Sequence, residues 1–341
     1  MKRLQMLAFA TAAMVATLNP SLPSPAAVLP PAPALAPVPH VAAANGLSVM
    51  TYNVEGLPFP LAYGRSARLA EIGERLGALR RAGRQPKVVL LQEAFIPQAK
   101  AIAAAAGYPY AVIGPQTADA AKDAPALDEA FTAQASWLKG EGLGKWVDSG
   151  LVILSDYPIV QTRRMAFPAD MCAGFDCLAA KGVLLAWIKV PGKDHPVAIA
   201  DTHLNARKAS GVAITRADAA YAMQVAAARG FIRTQVPRSA DLVFGGDFNI
   251  GHDRTRIATQ AALGGIVADA SEATRITDLG SINEPIAADR AAILARAKDK
   301  QYFRAGTGGK LRLQSLEVPF GSANGGAALS DHLGYVAHYA F

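Results

Sequence analysis

Five short polar words close five apolar runs of this chain. They are "TYN" at 51–53, "LQE" at 91–93, "THLN" at 202–205, "GGDFN" at 245–249 and "SDH" at 330–332. Apolar runs of this length read as buried strands. A chain that ends so many of them in Asn, Glu, His and Asp must gather those groups at a sheet rim or leave them scattered. Gathered, they are a set of hard oxygens and imidazoles with no nucleophilic Cys or Ser among them. The oxygens suit a divalent cation, Mg²⁺ first and Mn²⁺ or Ca²⁺ as alternatives, and such a cation binds substrate phosphate. Imidazoles move protons near neutral pH. The combination predicts metal-assisted hydrolysis of a phosphoester with water as nucleophile. Singly, each word has a plainer reading: a solvated strand end, a structural His, or a tight turn in which Gly245 and Gly246 permit unusual dihedrals.

The rest of the chain supplies elements to carry those strands. Strands are expected over 47–54, 87–93, 150–155, 182–190, 195–204 and 240–249, with two more flanking the "TGG" turn at 307–309 and a last one in "SDHLGYVAHYAF". A helix is expected over 66–83, with Leu69, Ile72, Leu76 and Leu79 on one face, Ser66 capping it and Gly83 ending it. A long helix over 215–235 opens with Thr215 and Asp218 spaced as a capping box. Shorter helices are expected near 254–263 and 284–298. Many strands, few long crossovers and several hairpin-like spacings predict a mixed α/β sandwich built as one domain over 46–341.

The amino terminus has a different character. "MKR" followed by "LQMLAFATAAMVATL" reads as a secretory signal over 1–27, too short to span a bilayer comfortably. No cysteine follows it for a lipoprotein anchor. Residues 28–45 are Pro- and Ala-rich and read as a linker. The expected location is periplasmic or extracellular. With 51% hydrophobic and 18% charged residues the chain is no disordered polymer. Its net charge of +7, two units of it from Lys2 and Arg3, suits an anionic partner or serves solubility alone.

In their order and strand-end setting, the five words resemble the endonuclease/exonuclease/phosphatase superfamily, which includes deoxyribonuclease-like nucleases, inositol-phosphate phosphatases and neutral sphingomyelinases. The resemblance runs from about Ser48 to Phe341. It implies a four-layer sandwich like that of deoxyribonuclease I, two mixed sheets face to face with helices outside. By position, Glu93 resembles the metal-binding glutamate, with Asn53 beside it. His332 resembles the general base and Asp331 a metal- or water-linked carboxylate. Asp247 and Asn249 resemble the pair that orients nucleophile and phosphate, and His203 the histidine that stabilises the transition state or protonates the leaving oxygen. Many members orient the base histidine with an aspartate. In "KDKQYFRAG" Gln301 takes that place, with Asp299 two residues away, and both alignments stay open.

Substrate class is less legible. "CAGFDCLAAKGVL" at 172–184 resembles the D-x-x-x-x-K-G segment of neutral sphingomyelinases, here Asp176, Lys181 and Gly182. It lacks the glycine spacing of a nucleotide-binding P-loop. Lys181 is expected to neutralise phosphate and Asp176 to position it, against the plainer reading of an exposed pre-strand lysine. Two thiols with no further Cys or His do not complete a Zn²⁺ site. In an exported chain Cys172 and Cys177 are expected to form a disulfide. Residues 115–148 carry Phe131, Trp137, Leu138 and Trp146 among glycines and lysines, a composition that fits either a membrane interface or loop packing. The preferred expectation is a phosphodiesterase acting on a sphingolipid or phospholipid membrane surface. A nuclease and a phosphoinositide-type phosphatase are the alternatives. No obligate protein partner is implied, and the chain reads as a monomer.

Overall fold

The computed structural model describes residues 46–58, 61–120, 129–276, 284–321 and 328–341. The expected signal at 1–27 and linker at 28–45 lie outside the described residues. Among these described residues, twelve strands form two sheets of six. The first holds β1 (Gly46–Asn53), β2 (Val88–Gln92), β3 (Tyr110–Ile113), β4 (Val152–Ser155), β11 (Arg312–Glu317) and β12 (Tyr335–Ala340), in the order β11-β12-β1-β2-β4-β3. The second holds β5 (Ile159–Ala166), β6 (Gly182–Ile188), β7 (Val197–His203), β8 (Leu242–Asp247), β9 (Ser271–Glu272) and β10 (Asp299–Arg304), in the order β5-β6-β7-β8-β10-β9.

Each sheet contains one central parallel pair, β1 with β2 and β7 with β8, and antiparallel neighbours around it. Parallel strands need a crossover, and a helix supplies it in each case. Helix α1 (Arg65–Arg81) links β1 to β2, and helix α2 (Ile214–Gln235) links β7 to β8. Helices α3 (Arg254–Ala262) and α4 (Glu284–Arg296) follow β8. Three apolar clusters cement the layers. Val49, Leu90, Ile153, Leu184, Ile199 and Val243 are buried between the sheets. Leu69, Ile72 and Leu76 of α1 pack on Met50, Val89 and Leu91. Tyr221, Val225 and Ile232 of α2 pack on Ala198, Leu242 and Phe244. The alternation of the strands explains both faces: Val49 and Met50 are neighbours in sequence and belong to different clusters. The four-layer sandwich expected from the sequence is the fold observed.

Several local expectations are corrected. Ser66 lies inside the first turn of α1, whose N-cap is Gly64 at φ 67°. Gly83 does end that helix, donating from its N–H to the Arg80 carbonyl at φ 70°. The Thr215–Asp218 capping box is absent: α2 starts after Ala213 with no side-chain cap, and Asp218 pairs instead with the Arg256 guanidinium at 2.7 Å. The strands flanking "TGG" are not a hairpin, since β10 and β11 enter different sheets. The turn is anchored to the second sheet, where Gly306 N–H donates to Asp241 (2.8 Å) and Thr307 N–H to the Arg238 carbonyl (3.0 Å). Leu313 and Leu316 then turn into the inter-sheet core. Strand β5 escapes the sequence reading because it is an edge strand with a largely exposed surface and charged residues such as Arg163 and Arg164.

Candidate active site

The parallel pairs decide where the polar words meet. Asn53 is in register with Gln92, and His203 with Asp247, so both pairs finish on the same side of their sheets. The site forms outside these carboxyl ends, as open α/β sheets favour. Strand β10 arrives antiparallel and starts there, with Asp299 directly opposite Asp247. The double glycine of "GGDFN" is required by close approach. A Cβ on Gly245 would lie 2.5 Å from Leu90 of the facing sheet, and one on Gly246 would lie 2.1 Å from the Thr202 carbonyl. Gly246 also has φ 140°. Just past the rim, Glu55, Glu93 and Asn249 all hold positive φ (49°, 56° and 49°). Such conformations cost about 1–3 kcal/mol each and concentrate at functional sites.

The Asn53 amide is the bridge between the sheets. It donates to Glu93 Oε1 at 2.9 Å and to Asp247 Oδ2 at 3.2 Å, while its own oxygen accepts from Glu55 N–H at 3.0 Å. Asp247 Oδ2 stands between two imidazoles, 3.7 Å from His203 Nε2 and 3.6 Å from His332 Nε2. Asp247 Oδ1 accepts from the Asn249 N–H at 2.9 Å, and the Asn249 amide donates to the Leu204 carbonyl at 3.0 Å. The structure therefore brings Asn53, Glu93, His203, Asp247, Asn249 and His332 together from five strand ends.

His332 is oriented through its other nitrogen. Nδ1 lies 2.7 Å and 3.0 Å from the two oxygens of Asp299. This settles the partner: it is Asp299, not Gln301. The two residues share one face of β10, but Gln301 sits one pleat deeper and opposite Gly245. There its amide donates to the Val49 carbonyl (3.0 Å) and accepts from the Tyr339 hydroxyl (3.0 Å), tying the sheets together. Asp331 departs from its expected place. Its side chain is 60% exposed and pairs with Arg296 at 2.9 Å, and its nearer oxygen is 3.9 Å from His332 Nε2. It does not join the Asn53–Glu93 group.

Electrostatics separate the two histidines. Burial pulls His332 down, yet Asp299 and Asp247 outweigh it and lift its pKa to about 9. Burial and the neighbouring Lys181 ammonium push His203 down to about 3, so it is neutral. Burial works to raise Asp247, but His332 and His203 hold it well below the usual carboxylate range. Glu93 is raised by burial despite the Asn53 hydrogen bond. A sequestered carboxylate with an amide donor and no cation in contact is short of positive charge. The Glu93 carboxylate, with the Asn53 amide beside it, offers hard oxygen donors whose chemistry fits a divalent cation. Asp247, Asp299 and His332 also approach each other closely. There the Asp299–His332 hydrogen bond already occupies Nδ1.

The loop at 172–181 delivers a further charge. Cys172 and Cys177 are joined by a disulfide, and the segment between them forms a short 3₁₀ turn. Lys181 is only 4% exposed, which removes the reading of a solvated pre-strand lysine. Its ammonium contacts Asp176 (3.1 Å), His203 Nε2 (3.2 Å) and the Leu204 carbonyl (3.1 Å). The second oxygen of Asp176 accepts from the Ala206 N–H, so one carboxylate positions both the lysine and the "THLN" loop.

Two buried arginines were not singled out by the sequence reading. Arg65 donates to the carbonyls of Val54 (2.6 Å) and Leu329 (2.8 Å), clamping the first polar word to the last. Arg256 donates to the carbonyls of Asn205 (2.7 Å) and Asn249 (2.8 Å), clamping "THLN" to "GGDFN". Both begin helices, where periodicity predicts exposure for a charged residue. Only the Asp253 cap, which accepts from Arg256 N–H at 3.0 Å, marks the second in the sequence.

Comparison with known proteins agrees with this fold. Among solved structures, the chain is similar to sphingomyelinase C from Streptomyces griseocarneus, with 21% identity, 87% of this chain and 99% of that chain covered, and a TM-score of 0.56. It is similar to a beta toxin from Staphylococcus aureus with bound magnesium ions, with 18% identity, 87% and 100% covered, and a TM-score of 0.55. It is equally similar to D. rerio TDP2 complexed with single strand DNA product, with 16% identity, 87% and 100% covered, and a TM-score of 0.56. No curated protein matches the sequence significantly. The model of the Endonuclease/Exonuclease/phosphatase family matches residues 50–269, and the chain belongs to that family of metal-dependent phosphoester hydrolases.

Proposed function

We propose that this enzyme is an exported Mg²⁺-dependent phosphodiesterase that releases the phosphorylated head group of a sphingolipid or other phospholipid. The observation that carries the lipid reading is an exposed apolar tip fastened to the site loop. Trp137 is 68%, Leu138 66% and Leu143 42% exposed. Exposed apolar groups clustered in this way suit a lipid or protein surface. The same segment pairs with the loop that carries Lys181: Trp146 and Val147 N–H donate to the Leu178 carbonyl (2.7 and 3.0 Å), and Ala180 N–H donates to Val147 (2.9 Å). Glu141 adds a bond from Gly174 N–H at 2.7 Å. Lys139 reaches over the Phe175 ring at 5.8 Å. A bilayer that received Trp137 and Leu138 would meet the site loop beside it. The similarity to sphingomyelinase C supports the same reading.

Glu93, aided by Asn53, would hold the cation. When bound, it supplies Lewis-acid polarisation of the phosphoryl oxygen and a positive charge that favours loss of the proton on His332. The chain's own groups do the rest. Neutral His332, held by Asp299 at Nδ1, takes a proton from water at Nε2 as the water oxygen bonds to phosphorus. Lys181 and His203 face the charge that develops on the phosphoryl oxygens. The bond from phosphorus to the lipid oxygen breaks, that oxygen takes up a proton from solvent to leave as an alcohol, and His332 returns its acquired proton to solvent. Asp247 and Asn249 align the attacking and transferred groups. The test offers purified protein and Mg²⁺ both sphingomyelin or phosphatidylethanolamine vesicles and plasmid DNA. Head-group release without nicking is the expected result, and nicking without release overturns the lipid assignment. Recovery of the protein in the medium or periplasm, with its first residues removed, tests export.

A further inference from the structure

Beside the His203–Asp247–His332 cluster lies a groove of about 790 Å³ that shares Asn249 with it. Leu57, Leu61 and Phe175 form an apolar wall, and Arg207, Lys208 and Lys298 a cationic one. Asp253 is the carboxylate on this wall, and both of its oxygens are engaged. One accepts from Arg256 N–H at 3.0 Å and the other pairs with Arg207 at 2.8 Å. Arg207 is matched further by Asp218 at 3.5 Å. Neither Lys208 nor Lys298 makes a close ion pair among the described residues, and Lys298 also lies in the field of Asp247 and Asp331. Lys298 is next to the site through its backbone, since its carbonyl accepts from Phe248 N–H at 3.0 Å. Two ammonium groups outside any close ion pair in a concave wall attract anions. A quaternary ammonium head group calls for the opposite, an aromatic cage or free carboxylates.

We propose that this groove is a second anion subsite. The group esterified to the scissile phosphate carries a further phosphate, which Lys208 and Lys298 receive, while the apolar wall takes the carbon frame between the two anions. The preferred substrate is then a phospholipid whose head group carries a second phosphate, cleaved faster than a choline lipid offered to the same site. The inference rests on the phosphodiesterase reading of the adjoining cluster.

Calorimetry on the full chain with Mg²⁺ tests it, using 1,3-propanediol bisphosphate and propyl phosphate as matched probes. The second phosphate is expected to tighten binding about tenfold, equivalent to about 1.4 kcal/mol. Lys208→Ala with Lys298→Ala should bring the two affinities within about twofold, and Lys208→Arg with Lys298→Arg should keep them apart. Equal affinities in the unaltered protein, or a gap that survives the alanine pair in a folded variant, overturn the subsite. Cardiolipin vesicles, whose head group bears two phosphates, should be hydrolysed faster than phosphatidylcholine vesicles. A bisphosphate preference with no hydrolysis of any lipid supports the subsite and defeats the lipid phosphodiesterase reading. Cleavage of 5′-phosphorylated dithymidine with cardiolipin untouched overturns the lipid assignment in favour of nucleic acid.

Discussion

Asp299 and Gln301 are two residues apart on one face of β10, and their substitutions should fail in opposite ways. Asp299 holds His332 Nδ1 with oxygens at 2.7 and 3.0 Å in a buried setting. A hydrogen bond between charged partners contributes about 1.5–3 kcal/mol. Its loss alone disorders the imidazole by roughly 10- to 150-fold. Asp299→Asn adds a tautomer fault, because the amide N–H can face Nδ1 and leave the proton on Nε2, where water must deliver its own. Together these effects predict a fall in kcat of about 10²–10⁴-fold, the range of a general base. Gln301→Ala should do the reverse. It leaves the buried Tyr339 hydroxyl without its acceptor and removes the tie to the Val49 carbonyl across the inter-sheet core. Each buried unsatisfied group costs about 1–3 kcal/mol of stability, while His332 keeps its partner. Hydrolysis of bis(4-nitrophenyl) phosphate with Mg²⁺, corrected for folded fraction, and thermal melting separate the two. An Asp299→Asn variant with more than a tenth of the original kcat, or a folded Gln301→Ala variant without activity, would refute the assignment.

Three further outcomes follow from the geometry. Cys172→Ser with Cys177→Ser opens a loop of sequence separation 5 and should cost only about 2 kcal/mol in melting, yet lower kcat/KM more than stability implies, because Asp176 positions Lys181 from within that loop; full activity would make the bridge incidental. Asp201 is fully buried, accepts from Gln92 at 2.7 Å, and burial pushes its carboxyl well above the usual range. The folded state therefore keeps the proton that the unfolded chain releases near its ordinary pKa, and the stability this group contributes falls as pH rises above that value. Asp201→Asn, which imitates the neutral acid, should gain melting temperature relative to the parent between pH 4 and 8, and a gap that does not change with pH would contradict this. Trp137→Ala with Leu138→Ala removes two exposed side chains and should leave melting unchanged while weakening vesicle binding about tenfold or more, given roughly 1.5–3 kcal/mol per large apolar group withdrawn from water; unchanged vesicle binding removes the tip from the account.

Four of the polar words were legible because each ends an apolar run, and the rim they share follows once β1–β2 and β7–β8 are parallel; "SDH" instead precedes β12 and reaches the rim from the start of its strand. The partner of His332 was not legible. Alternation places Asp299 and Gln301 on one face, and only the register with β8 tells which one reaches the rim. Helix caps misled for a related reason: Ser66 and the Thr215–Asp218 pair have the right spacing, but tertiary demand drew Asp218 to Arg256. Asp331 stands beside a site histidine in sequence and still turns outward to Arg296, since adjacent residues in a loop need not face the same way. The clamp made by Arg65 had no signal and that made by Arg256 only its Asp253 cap, because a buried guanidinium is defined by the carbonyls it finds, and these come from distant loops. The depth of Lys181 depended on the "THLN" loop packing over it, which no local pattern encodes.

The most direct test of the central claim is phosphorylated head-group release from phospholipid vesicles in Mg²⁺, with the unaltered protein beside His332→Ala, His203→Ala and Glu93→Gln. Release by the unaltered protein is expected, with its abolition by EDTA and no more than about one per cent of that rate in either histidine variant, in line with an acid–base contribution of about 10²–10⁴. Release that persists in folded His332→Ala, or that is indifferent to both EDTA and Glu93→Gln, would contradict it.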